Sequence, residues 1–458
     1  MMDRRKFVKG AGLLTALSAF DSPLLNASSL LGKKKISIVN AACAYEREKL
    51  IRPFGFKGGY LTELWQTASN LTTASGISKT GIATQSVLYG DADLFSLHSE
   101  AKGNSMMHAL TTKALDLVKQ TSFYTPIDLL DKILPEVISE GKRITGKSDL
   151  NINFVYNALV SIDNAAWLVY AAENKYKSFE TMIPGPFKEA LSHRNDKIAI
   201  MYQIPYGMPM QDLLGAAQKG FFVFKVKTGS PGTQSEMLKA DMERLSLIHQ
   251  TLKDHRTEHT SNGKLIYTLD ANARYEKKES LLKYLDHAKK IGAFDQILLI
   301  EEPLNESNIE HVHDLGILIA ADESIHDEES AINRLDLGYN VLVLKGIAKT
   351  LSFSVKIAKL AAERNIPCLC ADLTVNPILI DWHKNLSAHL PPFPGINMGL
   401  METNGDMNYA NWKNMLDYHP GAHASWMKAK NGVFDLNPDF YQRSGGIFEP
   451  SEHYENMF

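Results

Sequence analysis

The sequence predicts an α/β fold, a modified (β/α)8 barrel of the TIM type, preceded by a smaller α+β domain. The chain has 458 residues, which is enough for a barrel of about 250 residues and a second domain. From about Ile198 onward, short β-branched or aromatic runs alternate with amphipathic stretches, the pattern of β/α units in a parallel sheet. Eight such runs favour a closed barrel over a doubly wound open sheet, which would need an early glycine-rich phosphate turn that we do not find.

The barrel is expected to span residues 195–405. Amphipathic stretches such as 280–290 and 352–364 fit the helices between strands. The eight strand-like runs begin near Ile198, Phe221, Leu265, Gln296, Gly316, Asn340, Ile366 and Ile396.

Two further regions flank the predicted barrel. Residues 35–178 begin with strand-like KISIVNAAC and KTGIATQSVLY and continue as mostly helical sequence, so they are expected to form the α+β domain. Apolar residues recur every three or four positions over 154–174, which predicts a helix buried against a large surface. The segment 406–458 is rich in aromatic residues, Asn and Gly, and is expected to pack on the barrel or on the α+β domain.

The first 30 residues resemble a targeting segment. Arg4 and Arg5, followed by Phe7 and Lys9, resemble the bacterial twin-arginine signal, and an uncharged stretch follows over 11–20. An ordinary secretion signal or a frayed basic helix is the alternative. We therefore expect an exported, periplasmic protein that has no stable membrane span in its mature form, because no other stretch is long and apolar enough.

Composition excludes two classes of function. The 49 basic and 52 acidic side chains leave no positive field that would attract nucleic acid. The three cysteines, Cys43, Cys368 and Cys370, are too few for a disulfide framework or a four-ligand zinc site. The composition is compatible with a homo-oligomer.

Polar residues cluster where the second to sixth predicted barrel strands end, and these ends meet at the mouth of a barrel. Taken singly, each has an ordinary explanation as a helix cap, a salt-bridge partner or a solvated lysine. Together, three acids at the same rim would repel one another unless a cation lay between them. The residues are Lys225 and Lys227, Asp270 and Asn272, Glu301 and Glu302, Asp322 and Glu323, and Lys345.

Oxygen ligands without histidine or cysteine suit a hard cation, and Mg²⁺ is the expected one. Such an ion polarises a carboxylate oxygen and lowers the cost of the enediolate that forms when the adjacent carbon loses a proton. The partner is therefore expected to be a small-molecule carboxylate substrate.

The Lys-x-Lys spacing suggests how a lysine becomes a base near neutral pH. Lys225 and Lys227 share one face of a strand at roughly 6.6 Å, where two positive charges repel by roughly 2.5 kcal/mol at an effective dielectric constant of about 20. This energy corresponds to about 2 pKa units. Lys227, nearer the strand end, is the expected base, and Lys225 is expected to keep its charge and help to hold the substrate carboxylate.

The ordered set Lys-x-Lys, Asp-x-Asn, Glu-Glu-Pro, Asp-Glu-Ser and the lysine of LVLKGIAKT resembles the muconate-lactonising subgroup of the enolase superfamily, from about residue 35 to the last barrel strand. The resemblance implies that the α+β domain is a capping domain. It also implies that Lys227 and Lys345 stand on opposite faces of the substrate. By the same resemblance, Asp270, Glu301 and Asp322 are Mg²⁺ ligands, and Asn272, Glu302 and Glu323 support them.

The sequence departs from the family pattern near the pocket. Lys349 is followed by Thr350-Leu351-Ser352 instead of Gly-Gly, which leaves the shape of the pocket open. Strand seven ends without a histidine, which argues against the mandelate-racemase subgroup. Candidates for substrate contacts, each with a plain surface location as the alternative, are Asp372 and Glu402 after the last two strands, and Arg52 and Lys57 in the capping domain.

Two lysines facing each other across an enediolate favour racemisation or epimerisation. The same parts also allow β-elimination, as in dehydratase or o-succinylbenzoate synthase relatives, or cycloisomerisation. A non-catalytic exported binding protein is the alternative of another class, because a fold alone does not guarantee chemistry.

Overall fold

The computed structural model describes residues 34–56 and 59–458, and residues 36–458 form one compact unit. The predicted targeting segment, residues 1 to about 30, and Lys57 lie outside the described residues. Across the part of the chain that is described, no helix combines the length and apolarity needed to cross a membrane.

The described part of the chain starts with an antiparallel sheet of three strands, β1 (Ile38–Phe56), β2 (Gly59–Thr73) and β3 (Ser78–Gln85), in that order. Gly81 in β3 lies directly against the helix Ile152–Glu173, since a Cβ atom there would be 2.2 Å from the Ser161 carbonyl oxygen. Glycine therefore allows this helix to pack closely on the sheet.

Six helices follow the sheet. The fifth is buried on nearly all sides, which confirms the buried helix predicted for 154–174. They are α1 (Val87–Gly90), α2 (Ala92–Leu97), α3 (Glu100–Gln120), α4 (Pro126–Thr145), α5 (Ile152–Glu173) and α6 (Phe179–Met182).

Eight parallel strands close into a barrel, as the sequence predicted. Each strand pairs with the next in the chain, and the last pairs with the first, with Gly399 opposite Ile198. The strands are β4 (Lys197–Ile204), β5 (Val223–Lys227), β6 (Ile266–Asp270), β7 (Ile297–Glu301), β8 (Leu318–Ala321), β9 (Val341–Leu344), β10 (Cys368–Cys370) and β11 (Gly399–Glu402).

Helices connect most of the barrel strands, but the described connection between β7 and β8 contains only the short 3-10 turn His313–Leu315. Two helices follow β9 in close succession. The helices are α7 (Met210–Gln218), α8 (Gln234–Leu252), α9 (Lys278–Ile291), α10 (Glu328–Asp336), α11 (Gly346–Lys349), α12 (Leu351–Glu363) and α13 (Pro377–His389).

The segment after the barrel adds two short strands to the barrel sheet. Its second strand runs antiparallel to the start of β4, with Val433 opposite Ala199. The segment also contacts the N-terminal sheet, where His453 lies 2.9 Å from Glu46. Its elements are α14 (Gly405–Asn408), α15 (Trp412–Asp417), β12 (Ala429–Lys430), β13 (Val433–Asp435), α16 (Pro438–Arg443) and α17 (Glu452–Glu455).

A buried contact ties α5 to the first turn of α12. The Asp163 carboxylate accepts hydrogen bonds from the backbone N–H of Ser352 at 3.0 Å and from its hydroxyl. Trp167 donates to the same hydroxyl at 3.0 Å. Burial raises the pKa of Asp163 to about 6. The N-terminal domain is thus fixed to the rim of the barrel, next to Lys345.

Candidate active site

The predicted functional residues meet at one rim because five neighbouring strands end there. Lys225 and Lys227 lie on β5, and Asp270 and Glu301 end β6 and β7. Asp322 and Lys345 follow directly after β8 and β9. In a ring of eight strands β5 and β9 are opposite each other, so the lysines approach from opposite sides. The acids lie on the three strands between them.

A pocket opens at this rim. The barrel supplies its charged floor and walls, and the N-terminal domain covers it with Phe54, Leu61 and Tyr89. Among the predicted residues, Glu301, Glu302 and Asp322 are fully buried beside the pocket. Those that line it are Lys225, Lys227, Asp270, Asn272, Glu323, Lys345, Asp372 and Glu402.

Lys225 is surrounded by three carboxylates. Its Nζ lies 3.0 Å from Asp270 Oδ2, 2.9 Å from Glu301 Oε1 and 3.0 Å from Glu402 Oε2. Burial by itself would lower the pKa of Lys225, but the charges of the three carboxylates outweigh it and hold this pKa well above its usual value. These contacts favour the charged form of Lys225.

The other two lysines each contact one of the predicted metal ligands. Lys227 donates to the Asp270 carboxylate and, at 3.1 Å, to Asn272 Oδ1. Lys345 donates to the Asp322 carboxylate, and its ammonium lies 5.0 Å from the centre of the Tyr89 ring. Both side chains are buried within the pocket wall, so a bound substrate would meet them out of contact with bulk water.

Glu302 and Glu323 shape the rim through hydrogen bonds to the backbone and to Asn272. Glu302 Oε2 accepts hydrogen bonds from the backbone N–H groups of Asp322 at 2.6 Å and Ser324 at 3.3 Å. Glu323 Oε1 accepts from Asn272 Nδ2 at 2.9 Å. Burial and the charge of Glu323 raise the pKa of Glu302 to about 7. These contacts fix the turn that carries Asp322.

Asp372 and Glu402 form the wall opposite the three acids. Asp372 accepts backbone hydrogen bonds from Leu373 at 2.7 Å and Asn404 at 2.9 Å, and its own N–H donates to Glu402 at 3.2 Å. Burial and the charge of Glu402 raise the pKa of Asp372 to about 7. Asn404 in turn donates to Gln203 Oε1 at 2.7 Å. This wall therefore presents carboxyl and amide groups to the pocket.

Arg52 is placed apart from the pocket. Its side chain is 58% exposed, and its guanidinium lies 3.8 Å from Asp212 on α7. The sequence analysis missed Phe54, Leu61 and Tyr89, which no motif marks. It also missed Gln203 and Asn404, whose position at the ends of the first and last barrel strands was a usable indication.

The three predicted metal ligands each contact a lysine ammonium group. Among the residues that the structure describes, no group of three or more His, Cys, Asp or Glu side chains is placed to hold a metal ion. Two of the three carboxylates, Asp270 and Asp322, instead contact the ammonium groups of Lys227 and Lys345.

The donor set nevertheless fits a hard divalent cation. Lys225 Nζ is 2.9 Å from both Glu301 oxygens, but only Oε1 accepts its hydrogen bond, and the buried Oε2 has no hydrogen bond. Asp322 Oδ1 also lacks a hydrogen bond, and the Lys349 ammonium is 3.7 Å away from it. Burial and the nearby charge of Asp270 hold the pKa of Glu301 well above its usual value. Unbonded carboxylate oxygens under mutual repulsion are the groups that a cation would stabilise.

Solved structures resemble this chain over most of its length. A mandelate racemase/muconate lactonizing protein from Herpetosiphon aurantiacus is 14% identical, with a TM-score of 0.59, over 88% of this chain and 96% of that one. A dipeptide epimerase from Cytophaga hutchinsonii, complexed with Mg and the dipeptide D-Ala-L-Val, is 16% identical, with a TM-score of 0.59, over 82% and 89%. A member of the enolase superfamily from Listeria innocua is 16% identical, with a TM-score of 0.57, over 82% and 88%.

No family model matches the sequence, and no curated protein matches it. Identities this low establish the fold alone. The chain has the fold of the mandelate racemase/muconate lactonizing proteins of the enolase superfamily, an N-terminal α+β domain on a closed β/α barrel, as its motifs implied.

Proposed function

We propose that this protein is a Mg²⁺-dependent enzyme that removes the proton beside a substrate carboxylate and returns it to the opposite face, racemising or epimerising that carbon. The observation that carries the proposal is the placement of Lys227 and Lys345. They stand on opposite strands of the ring, line one pocket, and lie on either side of the acids. The structural neighbours include proteins named as epimerases, two of them complexed with Mg and a dipeptide.

Asp270, Glu301 and Asp322 would hold the ion, which when bound supplies Lewis-acid stabilisation for negative charge on a substrate carboxylate. Lys225 holds a fixed positive charge at the floor of the pocket and orients the substrate carboxylate. One of the two opposed lysines accepts the proton of the α-carbon, and the other donates a proton to the opposite face. Phe54, Leu61 and Tyr89 cover the reacting groups and exclude water.

The proposal is tested by α-proton exchange. The purified protein is incubated with MgCl₂ in deuterated water with a panel of dipeptides, N-acyl amino acids and sugar acids, and the α-proton signal is followed by NMR. For at least one substrate we expect deuterium incorporation together with inversion at the α-carbon. Loss of a substituent from the neighbouring carbon would assign β-elimination, and ring formation or opening would assign cycloisomerisation.

Lys227→Ala and Lys345→Ala are each expected to reduce interconversion by about 10²–10⁴-fold, the usual contribution of a positioned acid or base. Each variant is expected to lose deuterium exchange at one stereoisomer first, because each lysine serves one face. Lys239→Ala is the control, since that side chain is 76% exposed on α8. Undiminished racemisation in either single variant would refute the two-base assignment. Absence of stoichiometric Mg²⁺ binding by calorimetry would favour a binding protein instead.

A further inference from the structure

A fourth lysine, Lys349, is buried beside the site and has no role in the mechanism above. It ends the short helix α11, one turn after Lys345, and is only 1% exposed. A lysine is seldom buried to this degree without specific partners. The contacts of its ammonium group therefore indicate what it does.

Lys349 grips the turn that follows β8. Its Nζ donates to the backbone carbonyl of Asp322 at 2.5 Å and to that of Ile325 at 3.0 Å. These two carbonyls begin and end the turn that carries Asp322 and Glu323. The ammonium lies 3.7 Å from Asp322 Oδ1, too far for a direct hydrogen bond. Lys349 thus contacts the backbone of the turn more closely than it contacts the Asp322 carboxylate.

The same turn is held from its other side by Glu302, which accepts hydrogen bonds from the backbone N–H groups of Asp322 and Ser324. The N–H groups are thus fixed from β7 and the carbonyls from the segment after β9. The turn is thus held on both sides, and the Asp322 carboxylate accepts a hydrogen bond from Lys345.

The segment that carries Lys349 is itself firmly held. The backbone N–H of Lys349 donates to the Lys345 carbonyl at 2.7 Å. The next residue, Thr350, has φ 74° and ψ 148°, a conformation that is almost confined to glycine and is costly for a β-branched residue. The buried contact between Asp163 and Ser352 secures the chain just beyond it. Such strain persists only where surrounding contacts compensate for it, so the position of Lys349 is set by more than its own bonds.

We propose that Lys349 is a positioning residue, which clamps the Asp322–Ile325 turn so that the Asp322 carboxylate is held ready for the metal ion and in contact with Lys345. This inference rests on the proposed function, because it assigns Asp322 to the metal. It predicts that removing the clamp weakens metal binding without removing a ligand. Groups that orient a ligand in this way typically contribute 10- to 100-fold to metal affinity.

Lys384 offers a matched control. It is also fully buried, donates to a backbone carbonyl, that of Trp426, at 2.9 Å, and pairs with Asp381 at 2.7 Å. It lies on α13 and none of the pocket residues contacts it through these bonds. Lys349→Met and Lys384→Met therefore remove the same kind of buried amine, one beside Asp322 and one away from it.

The experiment compares wild type, Lys349→Met, Lys349→Gln and Lys384→Met by calorimetric titration with MgCl₂ and by hydrogen–deuterium exchange of residues 322–325. We expect both Met variants to melt at a lower temperature. Only Lys349→Met is expected to bind Mg²⁺ about 10- to 100-fold more weakly and to exchange faster over the turn. Lys349→Gln, a shorter neutral donor, is expected to fall between wild type and Lys349→Met, and it decides the matter if Lys349→Met does not fold.

Unchanged Mg²⁺ affinity in a folded Lys349 variant would overturn the proposal and leave the residue a purely structural one. Equal weakening in Lys384→Met would overturn it as well, since the effect would then follow from general destabilisation. Failure of wild type to bind Mg²⁺ would instead count against the proposed function. In that case, faster exchange over residues 322–325 in Lys349→Met alone would still support the clamp, and unchanged exchange would remove it.

Discussion

At the scale of single residues, the site stores unfavourable charge. Glu301 is buried between Lys225 and two further acids, and one of its oxygens has no hydrogen bond. Burial of a carboxylate beside like charges is costly unless a cation compensates for it. Without the proposed ion, these acids therefore lower the stability of the protein.

Glu301→Gln is expected to stabilise the metal-free protein by about 0.5–2 kcal/mol, because the amide keeps the shape and the acceptor for Lys225 and removes the buried charge. Urea unfolding in the presence of a chelator measures the change, and calorimetry should show that Mg²⁺ binding is lost. Glu279→Gln, on an exposed helix face, is the control and should change stability by less than about 0.5 kcal/mol. A clear loss of stability in Glu301→Gln would contradict this account.

The charged residues of the site were predictable, and the residues that cover them were not. Lys227, Asp270 and Lys345 could be placed together because the ends of parallel strands meet at one rim. Tyr89 and Leu61 reach the pocket from another domain, and no local pattern shows which apolar side chain of that domain will cover a barrel. The burial of Lys349 was equally hidden, since its partners are backbone carbonyls that every residue possesses.

At the scale of elements, a contact between α5 and the start of α12 joins the N-terminal domain to the barrel. Its acceptor, Asp163, is 5% exposed and meets the backbone and hydroxyl of Ser352. Since the folded pKa of Asp163 is about 6 and its reference value is 3.8, folding favours the protonated carboxyl. Its contribution to stability is therefore complete below the unfolded pKa and is lost as the pH rises through about 6.

The stability difference between wild type and Asp163→Asn is accordingly expected to decrease by about 1–3 kcal/mol between pH 4 and pH 7, because one pKa unit corresponds to about 1.36 kcal/mol. Urea unfolding of both proteins across this range measures it. Asp286→Asn, whose side chain is 72% exposed, should differ from wild type by a nearly constant amount. A difference for Asp163→Asn that does not vary with pH would show that the carboxyl titrates alike in both states.

The eight barrel strands could be predicted because strands buried on both faces appear as continuous apolar runs. The strands β12 and β13 have only two and three residues, too few to show a period, so their pairing with the barrel could not be seen in the sequence. The absence of a helix from the described connection between β7 and β8 could not be predicted either, because tertiary packing decides whether such a connection forms a helix.

At the scale of the whole molecule, the segment after the barrel is part of the fold. Trp426, Phe440 and Tyr454 are fully buried, and β13 covers one edge of β4. Burying one such aromatic side chain contributes about 1.5–3 kcal/mol or more, so their joint loss would exceed a large part of a typical net stability.

Deletion of residues 409–458 is therefore expected to abolish cooperative thermal unfolding, measured by circular dichroism. Removal of Phe458 alone, which is 48% exposed, should leave the melting temperature within about 2 °C of wild type. A soluble deletion variant that melts cooperatively at the wild-type temperature would show that the barrel folds without this segment.

The pairing of Val433 with Ala199 can form only late in synthesis, because the two residues are far apart in the chain. The first barrel strand emerges long before its antiparallel neighbour has been translated, and closing so long a loop slows folding. Until then the edge of β4 is open to pairing with other chains. We expect refolding from urea to be slow and sensitive to protein concentration. During synthesis, any factor that shields this edge is expected to raise the yield of folded protein.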